Sequence, residues 1–161
     1  MWRKLPAILL LTGPSMFTDC SYTQADNSVV VATDSIKNTI YILAKLHPVT
    51  PPELFGSIVG THFIEKYNHI HVAHVNIVTH RWTRMVIDGQ PHPHSFLRDG
   101  NETRNVQVDV ARDNGIDIKS AISGLMVLKS TNSQFWGFVR DEYTTLPETW
   151  DRVLSTEVDA N

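Results

Sequence analysis

At His69 the hydrophobic period of this chain changes from that of a helix to that of a strand, and this switch restricts the fold more than any other feature. Upstream, "SIKNTIYILAKL" places Ile36, Ile40, Leu43 and Leu46 at helical spacing. Pro48 ends that helix. "TPPE" then offers Thr50 as N-cap, Pro51 at the first helical position and Glu53 three residues after the cap, a capping box for a second helix reaching to about Tyr67. Its apolar face is Leu54, Phe55, Ile58, Val59 and Phe63. Downstream, "HIHVAHVNIVTHRW" alternates, with one irregularity near Ala73 and His74 that reads as a bulge. "NVQVDV" alternates through Val106, Val108 and Val110, and "RDNG" predicts a hairpin into "IDIKSAISGLMVLK". Ahead of the helices, "NSVVVATD" predicts a strand ending at Thr33 and Asp34, either of which can cap the helix. A strand, two helices and then a run of antiparallel strands is an α+β order.

With 161 residues and 42% apolar composition, the chain has enough material for one core and part of another. A formal charge of −3 and no long basic run predict neither a nucleic-acid partner nor an anionic membrane partner. The single cysteine, Cys20, makes no internal disulfide, which reads as an intracellular chain. Residues 1–20 differ in character: a basic start leads into the apolar run Leu5 to Leu11, too short to span a bilayer and without a convincing cleavage site before Cys20. They read as an unrelated, disordered segment. The other end, "STEVDAN", stops inside an expected strand that starts near Trp150, so the chain reads as truncated.

Eight histidines raise the question of a metal. His69, His71 and His74 cannot share one face without a bulge, His92 and His94 stand alone as a pair, and no HExxH accompanies them, so no metal site is expected. Thr33 and Asp34 sit where helix-terminal amides can meet an anionic oxygen, or are plain caps. Phe135 and Trp136 are either core or an exposed platform, and Arg152 either a surface charge or an anion clamp. Together, an aromatic ring, a guanidinium fork and amide donors are the residue types that a planar heterocyclic anion requires.

"LMVLKSTNSQFWGFVRDEYTTLPETWDR", from Leu125 to Arg152, resembles the long signature of the urate oxidases, or uricases. "VVVATDSIKNTIYILAK" and "PPELFGSIVGTHFIEKYNHIHVAHVNIV" resemble the fungal members of that family, and the resemblance covers about residues 21 to 161. It implies the tunnelling fold (T-fold), an antiparallel sheet carrying paired helices, with two units per subunit and a homotetramer around a tunnel. Residues 21–114 are then a first unit lacking its opening strand, and residues 115–161 the beginning of a second. The resemblance further implies oxidation of urate by O2 to 5-hydroxyisourate and H2O2 with no cofactor, metal or organic. Phe135 stacks on the purine, Arg152 contacts its pyrimidine edge, and Leu146 lines the pocket. Thr33 gives a hydroxyl to a proton relay and Asp34 a backbone amide, both from a neighbouring subunit.

A family lysine activates that threonine, and the context of Lys4 does not match it. A glutamine, an asparagine and a histidine of the family site belong to the half that the chain lacks. The alternative to an active enzyme is therefore a non-catalytic uricase-like fragment that binds only purines or intact subunits. A zinc enzyme of the same fold acting on pterins would need histidine ligands at better spacing. The family resides in peroxisomes through a C-terminal tripeptide, whereas this chain ends in Asp159, Ala160 and Asn161.

Overall fold

The computed structural model describes residues 7–12, as backbone, and residues 21–161. Its elements in chain order are β1 (Ala7–Thr12), α1 (Thr33–Leu46), α2 (Pro52–Lys66), β2 (Val72–His80), β3 (Thr83–Ile87), β4 (Gln90–Leu97), β5 (Thr103–Ala111), β6 (Gly115–Phe135) and β7 (Thr149–Ala160). Strands β1, β2, β5, β6 and β7 form one antiparallel sheet in that order, while β3 and β4 form a separate hairpin. No described helix is long and apolar enough to cross a membrane.

Alternation produces the core directly. Ala73, Val75 and Ile77 of β2 and Val106, Val108 and Val110 of β5 are buried on one face of the sheet, against Phe55, Val59, Phe63 and Ile64 of α2. The helix approaches closely because two of its sheet-facing positions are glycines. A β-carbon at Gly56 would lie 2.7 Å from Val108 Cγ2, and one at Gly60 would clash with Val110 Cγ2. Helix α1 packs on α2 and contributes one fully buried side chain, Leu43, with Ile36 and Ile40 half-buried. Leu46 and Leu54, expected on the apolar faces, are exposed, since each lies off the side that its helix turns inward.

Polar contacts lock α2 to the sheet at both ends. Arg112, just past β5, donates through one guanidinium nitrogen to the carbonyls of Ile64, Tyr67 and Ile70, satisfying acceptors that the helix end leaves open. At the other end, Glu53 accepts from Arg104 and from Ser120 Oγ at 2.7 Å. This corrects the expected capping box. The N-cap is Pro51, Pro52 is the first helical residue and no side chain caps the helix, because Glu53 reaches across to β5 and β6 rather than back along its own helix.

Three further expectations are corrected. Residues 28–32 form a turn and an extended lead-in rather than a strand, and α1 starts at Thr33 with Ala32 as N-cap. Val30 is exposed, so the valine run has no sheet to join. Strand β2 pairs with β5 without a bulge, so His74 lies opposite the core face, its Nδ1 2.7 Å from Asp109 Oδ1. Burial raises the Asp109 carboxyl, but hydrogen bonds from His74 and Gln107 outweigh this and lower its pKa. Finally, Ala7–Thr12 is an edge strand on β2, in a stretch read as disordered and in a unit read as lacking its opening strand. Its uninterrupted apolar run suits a strand, and β2 offers it a free edge. Lys4 and Cys20 lie outside the described residues.

Replacing Gly60 with alanine should lower the unfolding free energy by about 1–3 kcal/mol, the usual cost of overpacking. Adding Val110→Ala should recover part of that loss in a double-mutant cycle followed by denaturant unfolding. Glu53 tests the other contact. Burial raises its carboxyl, but hydrogen bonds led by that from Ser120 outweigh it, leaving the pKa below the ordinary 4.5. A depressed carboxylate stabilises the fold above its unfolded pKa and loses that contribution as pH falls through the folded pKa. The melting-temperature gap between the native chain and Glu53→Gln should therefore be full near neutrality and close progressively below about pH 4.5.

Candidate active site

Strand β6 pairs evenly with β5, but its pairing with β7 shifts register three times, twice between Lys129 and Phe135. Asn132 sits in the first of those two irregularities with φ of 59°, a left-handed conformation that asparagine tolerates. Asp151 of β7 fixes it: Oδ1 accepts from Thr131 Oγ1 at 2.9 Å and from the Asn132 amide at 2.6 Å. Lys129 Nζ closes the other side on the Asn132 carbonyl at 2.5 Å. With two extra residues of β6 accommodated there, and one of β7 in the next irregularity, Ser133 pairs with Arg152 and Phe135 with Thr149. Arg152 and Phe135 become diagonal neighbours on one face, a separation that a long side chain spans. The Arg152 guanidinium carbon lies 5.0 Å from the Phe135 ring centroid.

Phe135 is 39% exposed, so its ring is a surface platform rather than core. After it the chain turns back through Gly137, at φ of 68°, whose amide donates to Glu148 Oε1 at 3.1 Å. That reversal stacks Phe138 on Phe135, with centroids 4.7 Å apart and planes 9° from parallel, and Arg140 lies 5.5 Å from the Phe138 centroid. Asp141 orders the outer loop, accepting from the Tyr143 amide and Thr144 Oγ1. Those bonds, the Thr144 hydroxyl first, hold its carboxyl below the ordinary value. Leu146 is exposed in the same loop, three residues before β7.

The other two expected residues lie elsewhere. Thr33 and Asp34 are exposed in the first turn of α1, where backbone amides have no intrahelical partner. The Asp34 carboxylate is engaged by Lys37 at 2.8 Å and Asn38 at 2.9 Å, and the Lys37 hydrogen bond holds its pKa low. Its carboxylate is thus already engaged, while its backbone amide lies in the first turn of α1. No residue of α1 approaches β6 or β7 within this chain. The structure thus brings Phe135 and Arg152 together and leaves Thr33 and Asp34 apart from them.

Among the described residues no carboxylate pairs with Arg152 or Arg140. An exposed ring beside an uncompensated guanidinium can hold a flat anion, through stacking and a bidentate charged hydrogen bond. Resting on the ring, the guanidinium gains only about 0.5–1 kcal/mol at such exposure, so it can swing to a ligand's edge at little cost. Sequence reasoning missed Phe138 and Asp151. The first had a signal in its three-residue spacing across Gly137; the second acts through a bulge that alternation cannot reveal. Asp151→Ala should cost about 1 kcal/mol and speed amide exchange at Asn132, while Asp151→Asn, which keeps the acceptor oxygen, should retain most protection; both are read by hydrogen-exchange NMR.

The family model for uricase matches residues 17–109 and 118–161. A uricase of Aspergillus flavus is 81% identical over 157 residues, 98% of this chain and 51% of that protein, and one of Emericella nidulans is 78% identical over the same share. A match of that length takes in most of residues 1–20, so the resemblance does not begin at Ser21 as expected from the sequence. Among solved structures, uricase from Arthrobacter globiformis superposes with a TM-score of 0.71 at 37% identity, over 96% of this chain and 51% of its own. That from Bacillus fastidious gives 0.75 at 31% identity. The chain spans about half the length of the relatives it matches. Its antiparallel sheet with helices on one face is the α+β T-fold of these structures. The family match over most of its residues, and identity at this level across nearly the whole chain, make it a member of the uricase family.

Proposed function

We propose that this chain serves the cofactor-independent oxidation of urate by O2 to 5-hydroxyisourate and H2O2, the first step of urate degradation. The observation that carries the reading is the approach of the unpaired Arg152 guanidinium to the exposed Phe135 ring. Urate is planar and anionic, so Phe135 stacks on the purine, Arg152 grips its pyrimidine edge and Leu146 closes the pocket wall. Two electrons leave urate, O2 is reduced to peroxide and water supplies the added hydroxyl. Triplet O2 reacts slowly with a closed-shell molecule, so the protein's task is to hold a deprotonated purine and O2 in contact, away from bulk water.

Thr33 passes a proton and the Asp34 amide binds substrate, both from a neighbouring copy. Two observations support an interfacial site: α1 stays away from β6 and β7 in its own chain, and the β6–β7 ribbon exposes Met126, Leu128, Trp150 and Val153. The proposed assembly is the homotetramer of the family, and the proposed compartment the peroxisome. The proposed units are 21–114, preceded by β1, and 115–161; the break in the family match over 110–117, at the β5–β6 turn, supports that division.

The test follows urate absorbance and peroxide release beside a full-length relative. Arg152→Gln should weaken urate binding by about tenfold to a hundredfold, the worth of a charged hydrogen-bonded pair. Mixing Arg152→Gln chains with Thr33→Ala chains should restore turnover that neither variant shows alone, because one interface then regains both groups. Urate binding without turnover in the native chain would favour the non-catalytic, purine-binding reading. No binding at all, or no effect of Arg152→Gln, would overturn the assignment.

A further inference from the structure

The β3–β4 hairpin stands outside the main sheet, and nothing in the proposed reaction uses it. In strand β4, His92 and His94 lie two residues apart within the register break of the β3–β4 pairing, and their rings stack side by side, with centroids 4.6 Å apart and planes 12° from parallel. Apart from a 3.5 Å contact from the His94 amide to His92 Nδ1, at the outer limit of a hydrogen bond, neither ring has a hydrogen-bond partner among the described residues. The geometry points to a bis-imidazole site on this hairpin for a divalent transition-metal ion, with His92 and His94 as its two protein ligands.

The backbone beneath the two rings is held from several sides. Pro91 and Pro93 fix φ at alternate positions of the same strand. Arg84 reaches across from β3 and donates through Nη1 to the carbonyls of His92 at 2.7 Å and Pro93 at 2.8 Å. The same guanidinium packs over Phe96, its carbon 4.5 Å from the ring centroid. Strand, clamp and prolines therefore leave the two imidazoles little freedom except rotation about their own side-chain bonds. To chelate, the two rings must rotate out of their stack so that one nitrogen of each comes within about 2.0–2.1 Å of the ion. An ion entering here meets ligands already placed beside each other, which lowers the ordering cost of chelation.

The donor set selects the class of ion. Both nearby carbonyl oxygens are engaged by Arg84, so imidazole nitrogen is the available donor. Nitrogen donors without carboxylates suit Cu2+, Ni2+ and Zn2+ and not Ca2+ or Mg2+. No third histidine, cysteine, aspartate or glutamate completes a cluster among the described residues, so water fills the remaining positions. The ion exchanges freely and carries no structural load. Elsewhere on the surface, His74 is already held by Asp109.

Isothermal titration of the chelator-treated full chain with Cu2+, Ni2+, Zn2+ and Ca2+ tests this. One transition-metal ion should bind per chain, Cu2+ tighter than Ni2+ or Zn2+, with no Ca2+ binding. Copper should broaden amide NMR signals within residues 84–97. His92→Ala and His94→Ala should each weaken binding by about tenfold or more, the double variant should abolish it, and His71→Ala should leave it intact. Melting temperatures of the variants without metal should match that of the native chain, separating ligand loss from unfolding. Binding that survives the double variant, depends on His71, or shows no broadening in the hairpin would overturn the proposal.

Discussion

The close approach of α2 to the sheet, with Gly56 and Gly60 against Val108 and Val110 of β5, sets where much else in this chain can go. With no β-carbon at those two positions, the helix lies low enough for Phe55, Val59 and Phe63 to reach the sheet on either side. A helix held that close covers β2 and β5 and little more; its contacts with β6 are few and it has none with β7. The core is thus concentrated on one half of the sheet. The other half, where β6 and β7 extend beyond the helices, keeps large apolar side chains in the open. The polar pins from Glu53 and Arg112 fit the same picture, since each ties an end of α2 to the strand it covers.

What the sequence discloses follows the strength of its local signals. Val106, Val108 and Val110 alternate without exception, and all three are buried, because one face of β5 has a helix above it and the other has none. The Arg112 to Gly115 turn carries the residues that a tight reversal requires, and Gly115 adopts φ of 79°. The failures have a common cause. Valines at 29 to 31 have strand propensity, but propensity acts only where a sheet edge is within reach. Thr50 and Glu53 match a capping box, yet Glu53 gains more from a guanidinium and a hydroxyl across the interface than from its own helix start. In each case the surroundings in the fold, present or absent, outweighed a local preference. β1 is the converse: a short apolar run read as part of a disordered segment becomes an edge strand when β2 lies beside it.

The candidate site was legible in a different way. Nothing in periodicity connects Phe135 with Arg152; the family resemblance linked them, and the register of β6 and β7 shows how the link is made. The irregularities are what create it. A strand pair without shifts would change which residues face each other, and a one-residue slip moves every side chain to the opposite face. Asp151 therefore matters to Arg152, its neighbour in sequence, without approaching the platform itself. It holds the displaced residue, and the displaced residue sets the alignment. Such a role leaves no trace in composition or spacing, because a single aspartate in a strand looks like a surface charge until its acceptor oxygen is seen on a left-handed asparagine.

The resting position of Arg152 also bears on how a site of this kind stays available. A carboxylate partner would hold the guanidinium more firmly, but it would place negative charge where an anion must enter and would have to be displaced first. An aromatic face holds the cation by about 0.5–1 kcal/mol at this exposure, while a charged hydrogen bond to the incoming anion contributes about 1.5–3 kcal/mol. The exchange is downhill on those magnitudes, and the ring exposed by the departing guanidinium is the surface on which a flat ligand can stack. A neutral flat molecule gains the stacking alone. On the proposed reading, discrimination for anionic heterocycles over neutral ones would follow from the partner of Arg152 being a phenyl ring instead of an acid.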